Sequence, residues 1–529
     1  MAIYMRHSSS PRARMGAALV AVLAVWTAIG HGQLSSSPIA KAMIQQAALP
    51  PIDRGLRDQD PPRAARTAQQ ADRIRISNGD RLPYVRGSII VKFKDDATRG
   101  AVTAATAQVA GTIADRSSWA DFDIVGIPAD LDAEIAAAAM RARPDVEYAQ
   151  PRYLNHAMAR PNDALYSNQW NFPAIDMERA WDIQPGGSAD IVVAVLDTGM
   201  AFQAGSVRYN SRFAFRLTPG GPLYPPLGVV DVPFAAAPEL GASGSTRFVS
   251  PRDFIWNDDL PVDLDGHGTH VAGTIGQLTN NGTGTAGMAY NVRLMPVKVI
   301  QGTWDEIFGS PFEGTDDVVA RGVRYAADNG AKVINLSIGR EEGGPATAVT
   351  DAIRYAVGRG AFVVLASGNT RADGNQANRL AQAAPDIAGM VAVGAVGRTL
   401  DVAFYSTSGS YVELSAPGGD QRQGGVSAGI LQQTLDPDSL ETYNRPPSQY
   451  GPPRADAFAY EFFQGTSMAT PHVSGFAALL MQQGITNPAA IEAAMKQFSR
   501  DLGTSGRDNF YGAGLINPRA TLRGLGLAR

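Results

Sequence analysis

Residues 191–199 read Ile191-Val192-Val193-Ala194-Val195-Leu196-Asp197-Thr198-Gly199, a continuous apolar run that ends in a turn. A short run that is apolar at every position predicts a strand buried on both faces, which is typical of parallel sheets. Similar runs occur at 292–300, 332–336, 362–366 and 390–396. Helical patterns lie between and after them, near 270–278, 316–329, 346–359 and 468–482. The alternation predicts an α/β fold with a doubly wound, mostly parallel sheet, and such folds place their sites at the carboxyl ends of the strands.

The composition restricts the chemistry that is available to the chain. It has 529 residues, with 46 basic and 50 acidic side chains and a formal net charge of −4. A balance so close to neutral gives no electrostatic case for nucleic-acid binding. Because cysteine is absent, disulfides, thiolate nucleophiles and Cys-based zinc sites are excluded. The length favours a targeting segment followed by one small and one large domain.

The first part of the chain contains two segments that we do not expect to form a folded domain. Within 1–32, three arginines precede an apolar run at 15–29, which is the layout of a secretory signal peptide. That run is shorter than the roughly 20 residues that a spanning helix needs, so we expect no stable membrane span. Residues 33–86 are rich in Ala, Gln, Arg, Ser and Pro and predict a disordered linker. The protein is thus predicted to be secreted, into the periplasm or the extracellular space.

Two domains are expected after these segments. Residues 87–157 predict a small α+β unit, and 158–529 form a large domain that contains the α/β pattern. The small unit has strand patterns at 88–94, 122–127 and 146–149 and helical patterns near 97–109 and 130–142. Two Gly/Pro-rich stretches of the large domain, 203–250 and 420–455, do not fit the alternation and are predicted to be surface insertions.

Asp197 follows a predicted strand directly, which places its carboxylate at the edge of the sheet where sites form. Taken alone, it is more simply interpreted as a turn aspartate. The next block, Asp265-Gly266-His267-Gly268-Thr269-His270, begins a predicted helix. His267 is placed to reach a cleft, whereas His270 lies one turn further on and is predicted to pack. A histidine pair beside acidic residues is also compatible with a metal site, although helical zinc pairs are usually four apart with a Glu between them.

Ser467 lies in the stretch Gly465-Thr466-Ser467-Met468-Ala469-Thr470-Pro471-His472, ahead of an apolar run at 473–481. The pattern predicts a hydroxyl at the start of a helix, with Pro471 in the first turn. The free N–H groups and the positive end of the helix dipole would stabilise an oxyanion formed beside Ser467. Asn369 ends the segment Ala366-Ser367-Gly368-Asn369, and its amide is placed to donate to such an oxyanion. Taken alone, the serine stretch is as compatible with an ordinary capped core helix as with catalysis, and Asn369 is more simply interpreted as a loop asparagine in a turn.

Together these residues supply the parts of Ser/His/Asp catalysis, namely a hydroxyl nucleophile, an imidazole base, an orienting carboxylate and oxyanion donors. Their order along the chain is Asp, His, Ser, which is one of three known orders for such triads. Because position 469 is Ala469, the serine lacks the G-x-S-x-G elbow of the α/β-hydrolases.

The motifs resemble those of the subtilisin (subtilase) family of serine proteases. The resemblance covers about 165–520 and rests on Val195-Leu196-Asp197-Thr198-Gly199, His267-Gly268-Thr269-His270-Val271-Ala272-Gly273 and the serine stretch that begins at Gly465. It implies that Asp197 orients His267, the general base, and that Ser467 is the nucleophile. It also implies that Asn369 is the oxyanion donor.

The resemblance implies binding residues as well. The segment Ser337-Ile338-Gly339 resembles the edge along which the family binds its peptide substrate as an added strand. The specificity pocket would be walled by residues near 337–340, 366–368 and 377–385, among them Ala366, Ser367 and Gly368. Asn281 and Thr283 lie in a loop that resembles a calcium-binding loop, so calcium is a candidate structural cofactor, and no organic cofactor is expected. The unit at 87–157 is similar to the family's propeptide, an intramolecular inhibitor and folding aid that is removed by self-cleavage.

The main hypothesis is a secreted serine endopeptidase, made as an autoprocessed zymogen, whose partners are polypeptide substrates and its own propeptide. The first alternative is a metal-dependent hydrolase that uses His267 and His270, with Ser467 structural. The second alternative is a catalytically inactive peptide-binding module on a protease-like scaffold.

Overall fold

The computed structural model describes residues 84–116, 120–153 and 160–524. The predicted signal peptide at 1–32 lies outside these ranges, as do residues 33–83 of the predicted linker and residues 154–159, where the two predicted domains meet. Within the described ranges, no helix combines the length and the apolarity that a membrane crossing requires.

The small N-terminal unit is an antiparallel sheet with two helices. Its elements are β1 (Tyr84–Phe93), α1 (Arg99–Gln108), β2 (Thr112–Arg116), β3 (Asp123–Gly126), α2 (Ala133–Arg141) and β4 (Val146–Tyr153). The strand order is β2-β3-β1-β4, and β1 begins within the predicted linker. Ile89, Val91 and Val125 of the sheet and Met140 of α2 are buried in a core of the unit's own. The predicted α+β pattern is confirmed, except that the sequence pattern missed β2, since every residue of that strand is exposed.

The large unit alternates strands and helices as predicted. Its elements in order are α3 (Asn171–Ala174), α4 (Met177–Trp181), β5 (Val192–Asp197), β6 (Gly205–Ser211), β7 (Gly228–Phe234), β8 (Arg252–Asp253), α5 (His267–Gly276), β9 (Arg293–Lys298), α6 (Thr303–Phe308), α7 (Asp316–Asp328), β10 (Val333–Leu336), α8 (Thr347–Gly358), β11 (Phe362–Ala366), β12 (Met390–Val396), β13 (Leu414–Pro417), β14 (Ile430–Leu435), α9 (Pro437–Leu440), β15 (Phe458–Phe463), α10 (Thr466–Gln482), α11 (Pro488–Gln497) and α12 (Pro518–Gly524).

Seven of these strands form one parallel sheet in the order β13-β12-β11-β10-β5-β9-β8. Alternate side chains of β5 point to opposite faces. Val193 and Val195 join an apolar cluster that includes residues of α5 and α10. Val192, Ala194 and Leu196 join a second cluster that includes residues of α7 and α8. The strands are apolar at every position because both faces are covered, and the predicted doubly wound parallel fold is confirmed.

The two predicted insertions have regular structure and contact each other. The first contains the hairpin β6–β7, and the second extends the hairpin β14–β15. The backbone N–H of Ala235 donates to the carbonyl of Ala455 at 3.1 Å. The ring of Tyr450 lies 5.6 Å from that of Phe215 and 5.3 Å from that of Tyr224. Shared burial of these rings joins the two insertions into a single surface feature.

Candidate active site

The strand β5 ends at Asp197 and the helix α5 begins at His267, so a strand end and a helix start meet at the carboxyl edge of the sheet. Oδ1 of Asp197 lies 2.6 Å from Nδ1 of His267. The same oxygen accepts a hydrogen bond from the backbone N–H of Thr198 at 2.8 Å. Asp197 is completely buried, and His267 is only 7% exposed. The carboxylate therefore orients the imidazole through Nδ1 and leaves Nε2 as the ring nitrogen for a further partner.

The pKa of His267 is raised to about 9. Burial by itself lowers this pKa, but the charge of Asp197 and the hydrogen bond to it outweigh the burial. Asp265 and Asp263 raise the pKa further through their charges. The site thus stabilises the imidazolium, which is the species that a general base becomes when it accepts a proton.

Asp263 is a site residue that the sequence pattern indicated only as a neighbour of the histidines. Its Oδ1 accepts hydrogen bonds from Oγ1 of Thr198 at 3.0 Å and from the N–H of Gly266 at 2.8 Å. Its Oδ2 accepts from the N–H of Thr269 at 2.9 Å and from Oγ1 of Thr269 at 2.6 Å. One buried carboxylate therefore ties the residue after Asp197 to the first turn of α5. The available sequence signal was an Asp just ahead of a predicted helix start, the region where short polar side chains cap free N–H groups.

Ser467 is the second residue of α10, which follows the N-cap Gly465. Its Oγ donates to the backbone carbonyl of Ser337 at 3.0 Å, and the residue is 8% exposed. In this conformation the hydroxyl is bonded to Ser337 rather than to His267, although α5 and α10 pack against each other. Of the first four N–H groups of α10, that of Thr466 donates to Oδ1 of Asn369, and those of Met468 and Ala469 donate to the carbonyl of Gly465. The N–H of Ser467 is therefore the donor that this helix start offers beside the hydroxyl.

The predicted position of Pro471 in the first helical turn is wrong. The helix α10 begins at Thr466, which places Pro471 in the second turn. The helix starts this early because Oδ1 of Asn369 accepts the N–H of Thr466 from outside the helix. A proline in the second turn lacks the N–H that would bond the carbonyl four residues earlier, here that of Ser467. Oγ of Ser337 donates to that carbonyl at 2.8 Å and takes the place of the missing bond.

Asn369 follows the end of β11 and faces the start of α10. Its Oδ1 accepts hydrogen bonds from the N–H of Thr466 at 2.9 Å and from Oγ1 of Thr466 at 3.0 Å. Because the amide oxygen is held by two donors, Nδ2 is the end of the side chain that can donate to an oxyanion.

The predicted substrate-binding residues lie at two neighbouring strand ends. Residues 337–339 follow β10, and 366–368 stand at the end of β11, which pairs with β10 in parallel. The N–H of Gly368 donates to Oγ1 of Thr466 at 3.3 Å, and Ser337 bonds Ser467 directly. The structure therefore places both predicted walls beside the start of α10.

His270 is buried, as its sequence position predicted. Its Nε2 lies 3.0 Å from the carbonyl of Ile430 and 3.1 Å from that of Glu461, and its ring stacks on Phe463 at 4.3 Å. This nitrogen is committed to the hairpin β14–β15. Among residues 84–116, 120–153 and 160–524, no group of three or more His, Asp or Glu side chains is arranged to hold a metal ion.

His472 is also a packing residue. Nδ1 lies 2.8 Å from the carbonyl of Met468, and Nε2 lies 2.8 Å from Nδ2 of Asn171. Burial lowers the pKa of His472 to about 4, so the ring is neutral at physiological pH. The ring is therefore part of the packing between the serine helix and α3.

The loop that contains Asn281 and Thr283 presents oxygen atoms of the type that calcium prefers. Oδ1 of Asn281 accepts hydrogen bonds from the N–H and Oγ1 of Thr283 at 2.9 and 3.0 Å. Oγ1 of Thr283 also lies 2.9 Å from Oε1 of Glu239, whose Oε2 is buried without a hydrogen-bond partner. Asp163 accepts the N–H of Asn280 at 2.9 Å on the same loop. The buried, unpartnered carboxylate oxygen of Glu239 makes the donor set compatible with a hard cation.

Known proteins share these features. The chain matches the peptidase S8 or subtilase family over 188–514 and the fervidolysin N-terminal prodomain over 70–152. The thermophilic serine proteinase of Bacillus sp. strain AK1 is 32% identical over 438 residues, which cover 82% of this chain and 86% of that protein. Thermitase from Thermoactinomyces vulgaris is 31% identical over 358 residues, 68% of this chain and 97% of that protein. An extracellular protease of Xanthomonas campestris is 30% identical over 406 residues, 74% of this chain and 61% of that protein.

Among solved structures, fervidolysin from Fervidobacterium pennivorans is described as a keratinolytic enzyme related to subtilisin. It aligns with a TM-score of 0.50 and 23% identity over 83% of this chain and 61% of that chain, which supports the fold. A parallel α/β sheet with these motifs at its carboxyl edge defines a class of serine endopeptidases. The chain belongs to the subtilase family and carries a fervidolysin-like N-terminal prodomain. The predicted family and the predicted prodomain are both confirmed.

Proposed function

We propose that this subtilase is a secreted endopeptidase that cleaves peptide bonds through an acyl-enzyme formed on Ser467. His267 acts as the general base, Asp197 orients it, and Asn369 donates to the oxyanion. The observation that carries the proposal is the 2.6 Å contact between Asp197 and Nδ1 of His267, which leaves Nε2 to accept the serine proton.

Formation of the acyl-enzyme begins when the Ser467 hydroxyl leaves the carbonyl of Ser337 and donates to Nε2 of His267. As Oγ attacks the substrate carbonyl, its proton passes to the imidazole, and the raised pKa of His267 supports that transfer. The negative charge that develops on the substrate oxygen is stabilised by Nδ2 of Asn369 and by the start of α10. His267 then returns the proton to the leaving amine, and water hydrolyses the ester by the same steps.

The substrate chain binds along 337–339 as an added strand, with 366–368 as the opposite wall. Backbone groups of such an edge recognise any extended peptide, and the side-chain pockets select among them. This arrangement suits an endopeptidase that acts on polypeptides of varied sequence.

We infer that the chain is organised as a signal peptide at 1–32, a linker from residue 33, a prodomain that includes β1 from Tyr84 and extends to 157, and a peptidase domain at 158–529. The prodomain has a sheet and an apolar core of its own, which supports its action as a separate inhibitor and folding aid. Cleavage within 155–162 by the enzyme's own triad would separate the two domains.

Self-maturation is tested by expressing wild type and Ser467→Ala and comparing the polypeptide masses. We expect wild type to be trimmed within 155–162 and Ser467→Ala to remain full length after removal of the signal. Ser188→Ala, a change of the same size at a partly exposed residue ahead of β5, at the amino end of the strand and so away from the site, serves as the control and should mature normally. Equal trimming of wild type and Ser467→Ala would contradict self-maturation.

A serine-directed fluorophosphonate tests the nucleophile separately. Matured wild type should be labelled on Ser467, and hydrolysis of casein should be lost in His267→Ala. Full inhibition by a chelator without any labelling would favour the metal-dependent alternative, and casein hydrolysis that survives in His267→Ala would contradict the assigned base.

Secretion is supported by the extracellular protease of Xanthomonas campestris among the relatives, together with the signal-like pattern of 1–32. We expect the expressed protein in the periplasm or the medium with an N-terminus beyond residue 28. Deletion of 1–32 should retain the protein inside the cell. Equal export of the deleted and the complete chain would contradict this assignment.

A further inference from the structure

The strands β10 and β11 are paired in parallel up to Leu336 and Leu365, and beyond that point the two chains lead to different parts of the site. The chain after β10 continues to Ser337, whose carbonyl accepts the Ser467 hydroxyl. The chain after β11 continues to Asn369, which bonds Thr466 at the start of the same helix. The distance between these segments therefore sets where a substrate lies relative to the oxyanion donor.

One side chain bridges the two segments. Nδ2 of Asn378 donates to the carbonyl of Ile338 at 3.1 Å and to the carbonyl of Ala366 at 2.7 Å. Oδ1 of Asn378 accepts from the N–H of Arg340 at 3.1 Å and from the N–H of Leu380 at 3.1 Å. The side-chain amide thus bridges the two segments with hydrogen bonds of the kind that backbone groups make between paired strands.

All four hydrogen-bonding positions of this amide are occupied, and Asn378 is completely buried. The orientation is unambiguous, because a flipped amide would place its N–H donors against two backbone N–H groups. An aspartate at this position would place oxygens against two carbonyls, and an alanine would leave all four backbone groups without this partner.

Asn378 also fills the space beneath two glycines of the predicted pocket. A Cβ on Gly339 would lie 2.8 Å from Nδ2 of Asn378. A Cβ on Gly368 would lie 2.9 Å from Oγ1 of Thr407 and 3.5 Å from Cβ of Asn378. Gly368 has a φ of +112°, which favours glycine at this point. The amide therefore fills the space next to Gly339, and together with Thr407 it fills the space next to Gly368.

We propose that Asn378 is a positioning residue that holds the substrate-binding edge 337–340 at a set distance from the oxyanion segment 366–369 and limits the depth of the pocket for the substrate side chain before the scissile bond. This inference rests on the proposed function, since it assigns the two segments to substrate and oxyanion. Asn378 does not touch the substrate, and it acts through the backbone of both walls.

Two variants separate the two parts of this role. Asn378→Asp keeps the volume but replaces two donors by acceptors, so the walls should move apart. We expect a higher KM, a lower kcat and a fall in kcat/KM of about 10- to 100-fold. Asn378→Ala opens space beneath the glycines. We compare two peptide anilides, one with Phe and one with Ala before the scissile bond, and expect the Phe-to-Ala ratio of kcat/KM to rise about fivefold.

Gln169 offers a matched control away from these two segments. It is a buried amide that donates to the carbonyls of Ala286 at 3.0 Å and Leu431 at 3.3 Å and accepts the N–H of Ala286 at 2.7 Å. Gln169→Glu makes the same chemical change as Asn378→Asp. It should lower the thermal midpoint but leave KM and the Phe-to-Ala ratio at their wild-type values.

The matured proteins are compared after titration of active sites with a fluorophosphonate. A wild-type KM and ratio in the Asn378 variants, or a change as large in Gln169→Glu, would overturn the inference. If wild type itself were not labelled on Ser467, the proposed function would fail instead, so the two failures are distinguishable. Where one Asn378 variant does not fold, the other decides, because one alters charge at constant volume and the other alters volume without charge.

Discussion

Ser467 and Ser337 exchange hydrogen bonds, since Oγ of Ser467 donates to the Ser337 carbonyl at 3.0 Å and Oγ of Ser337 donates to the Ser467 carbonyl at 2.8 Å. The second bond exists because Pro471 has no N–H with which to bond that carbonyl. Nδ2 of Asn335 donates to Oγ of Ser337 at 3.0 Å and supports it from behind. The side chain of Ser337 thus donates to the backbone carbonyl of Ser467, the proposed nucleophile. The backbone carbonyl of Ser337 accepts the hydroxyl of Ser467 in this conformation.

Replacing Ser337 by Ala should leave the buried carbonyl of Ser467 without a partner. We expect a loss of about 1 kcal/mol in the free energy of unfolding and a fall in kcat of about 3- to 10-fold, because the nucleophile loses one support. Pro471→Ala in the same chain restores an N–H at 471 and should recover part of both losses. Urea unfolding and peptide hydrolysis measure them, and no recovery in the double variant would contradict this account of Pro471.

The pH dependence of activity should reflect His267, whose pKa is raised to about 9. Because the proposed base must be neutral, kcat/KM should rise with pH through a midpoint near 9. Asp197→Asn removes the charge that raises this pKa, so the midpoint should move to lower pH while kcat falls by about 10⁴-fold. A pH profile with a small peptide substrate tests both, and an unchanged midpoint in Asp197→Asn would exclude Asp197 as the cause.

The same ionisation makes the stability of the fold depend on pH. The folded pKa of His267 lies above the unfolded value of about 6.5, so its contribution to stability is fully present below pH 6.5. It is lost as the pH rises through about 9. Urea unfolding of the inactive Ser467→Ala protein between pH 6 and 10 should show this loss, and Ser467→Ala with His267→Gln should not.

Asn369 has an acceptor end that holds α10 and a donor end, Nδ2, that is the proposed oxyanion donor. Asn369→Asp keeps an oxygen acceptor for both hydrogen bonds from Thr466 but removes the donor. We expect kcat to fall by about 10²- to 10³-fold with little change in KM, as is usual when one oxyanion donor is removed. Thr466→Val removes the hydroxyl that donates to Oδ1 of Asn369, and it should lower kcat far less than Asn369→Asp does. An Asn369→Asp enzyme with wild-type kcat would exclude this amide as the donor.

Calcium should stabilise the fold through the loop at 280–283. With calcium at about 100 times its Kd, the gain in the free energy of unfolding is about 2.7 kcal/mol, seen as a higher thermal midpoint. Glu239→Gln should abolish this calcium response, measured in the Ser467→Ala background to avoid self-digestion. Glu413 also has a buried oxygen without a hydrogen-bond partner, but its side chain pairs with Lys496. Glu413→Gln should therefore keep the response, and a response that persists in Glu239→Gln would place the ion elsewhere.

Much of the fold could be predicted because its signals are local. Strands covered on both faces must be apolar at every position, so β11 and β12 were predicted with their observed bounds. The helix start at His267 was also predicted, from the block 265–270, and the structure adds Asp263, which caps it through contacts that include Thr198 from another part of the chain. Strand β2 carries no apolar pattern, because its side chains are exposed and its partner is β3.

The candidate site was predicted where residue type and motif were sufficient. Asp197, His267, Ser467 and Asn369 each stand beside a local signal, a strand end or a helix start. Asp263 had only the weak signal of an Asp ahead of a helix start, and Asn378 had only its place in a segment expected to wall the pocket, because the contacts that define their roles include groups that are distant in sequence. The position of Pro471 was wrong for the same reason, since the helix start depends on an oxygen of Asn369.

The sequence by itself determined the alternation of the central strands with helices, the family and the chemical types available for catalysis, because periodicity, turn residues and motifs are properties of neighbouring positions. The tertiary structure decided which groups meet. It set the 2.6 Å contact between Asp197 and His267, the exchange of bonds between Ser467 and Ser337, and the bridging of two strand ends by Asn378. These contacts follow from the packing of separate strands at one edge of the sheet, where a hydrogen bond depends on distances of a few tenths of an ångström that local sequence does not encode.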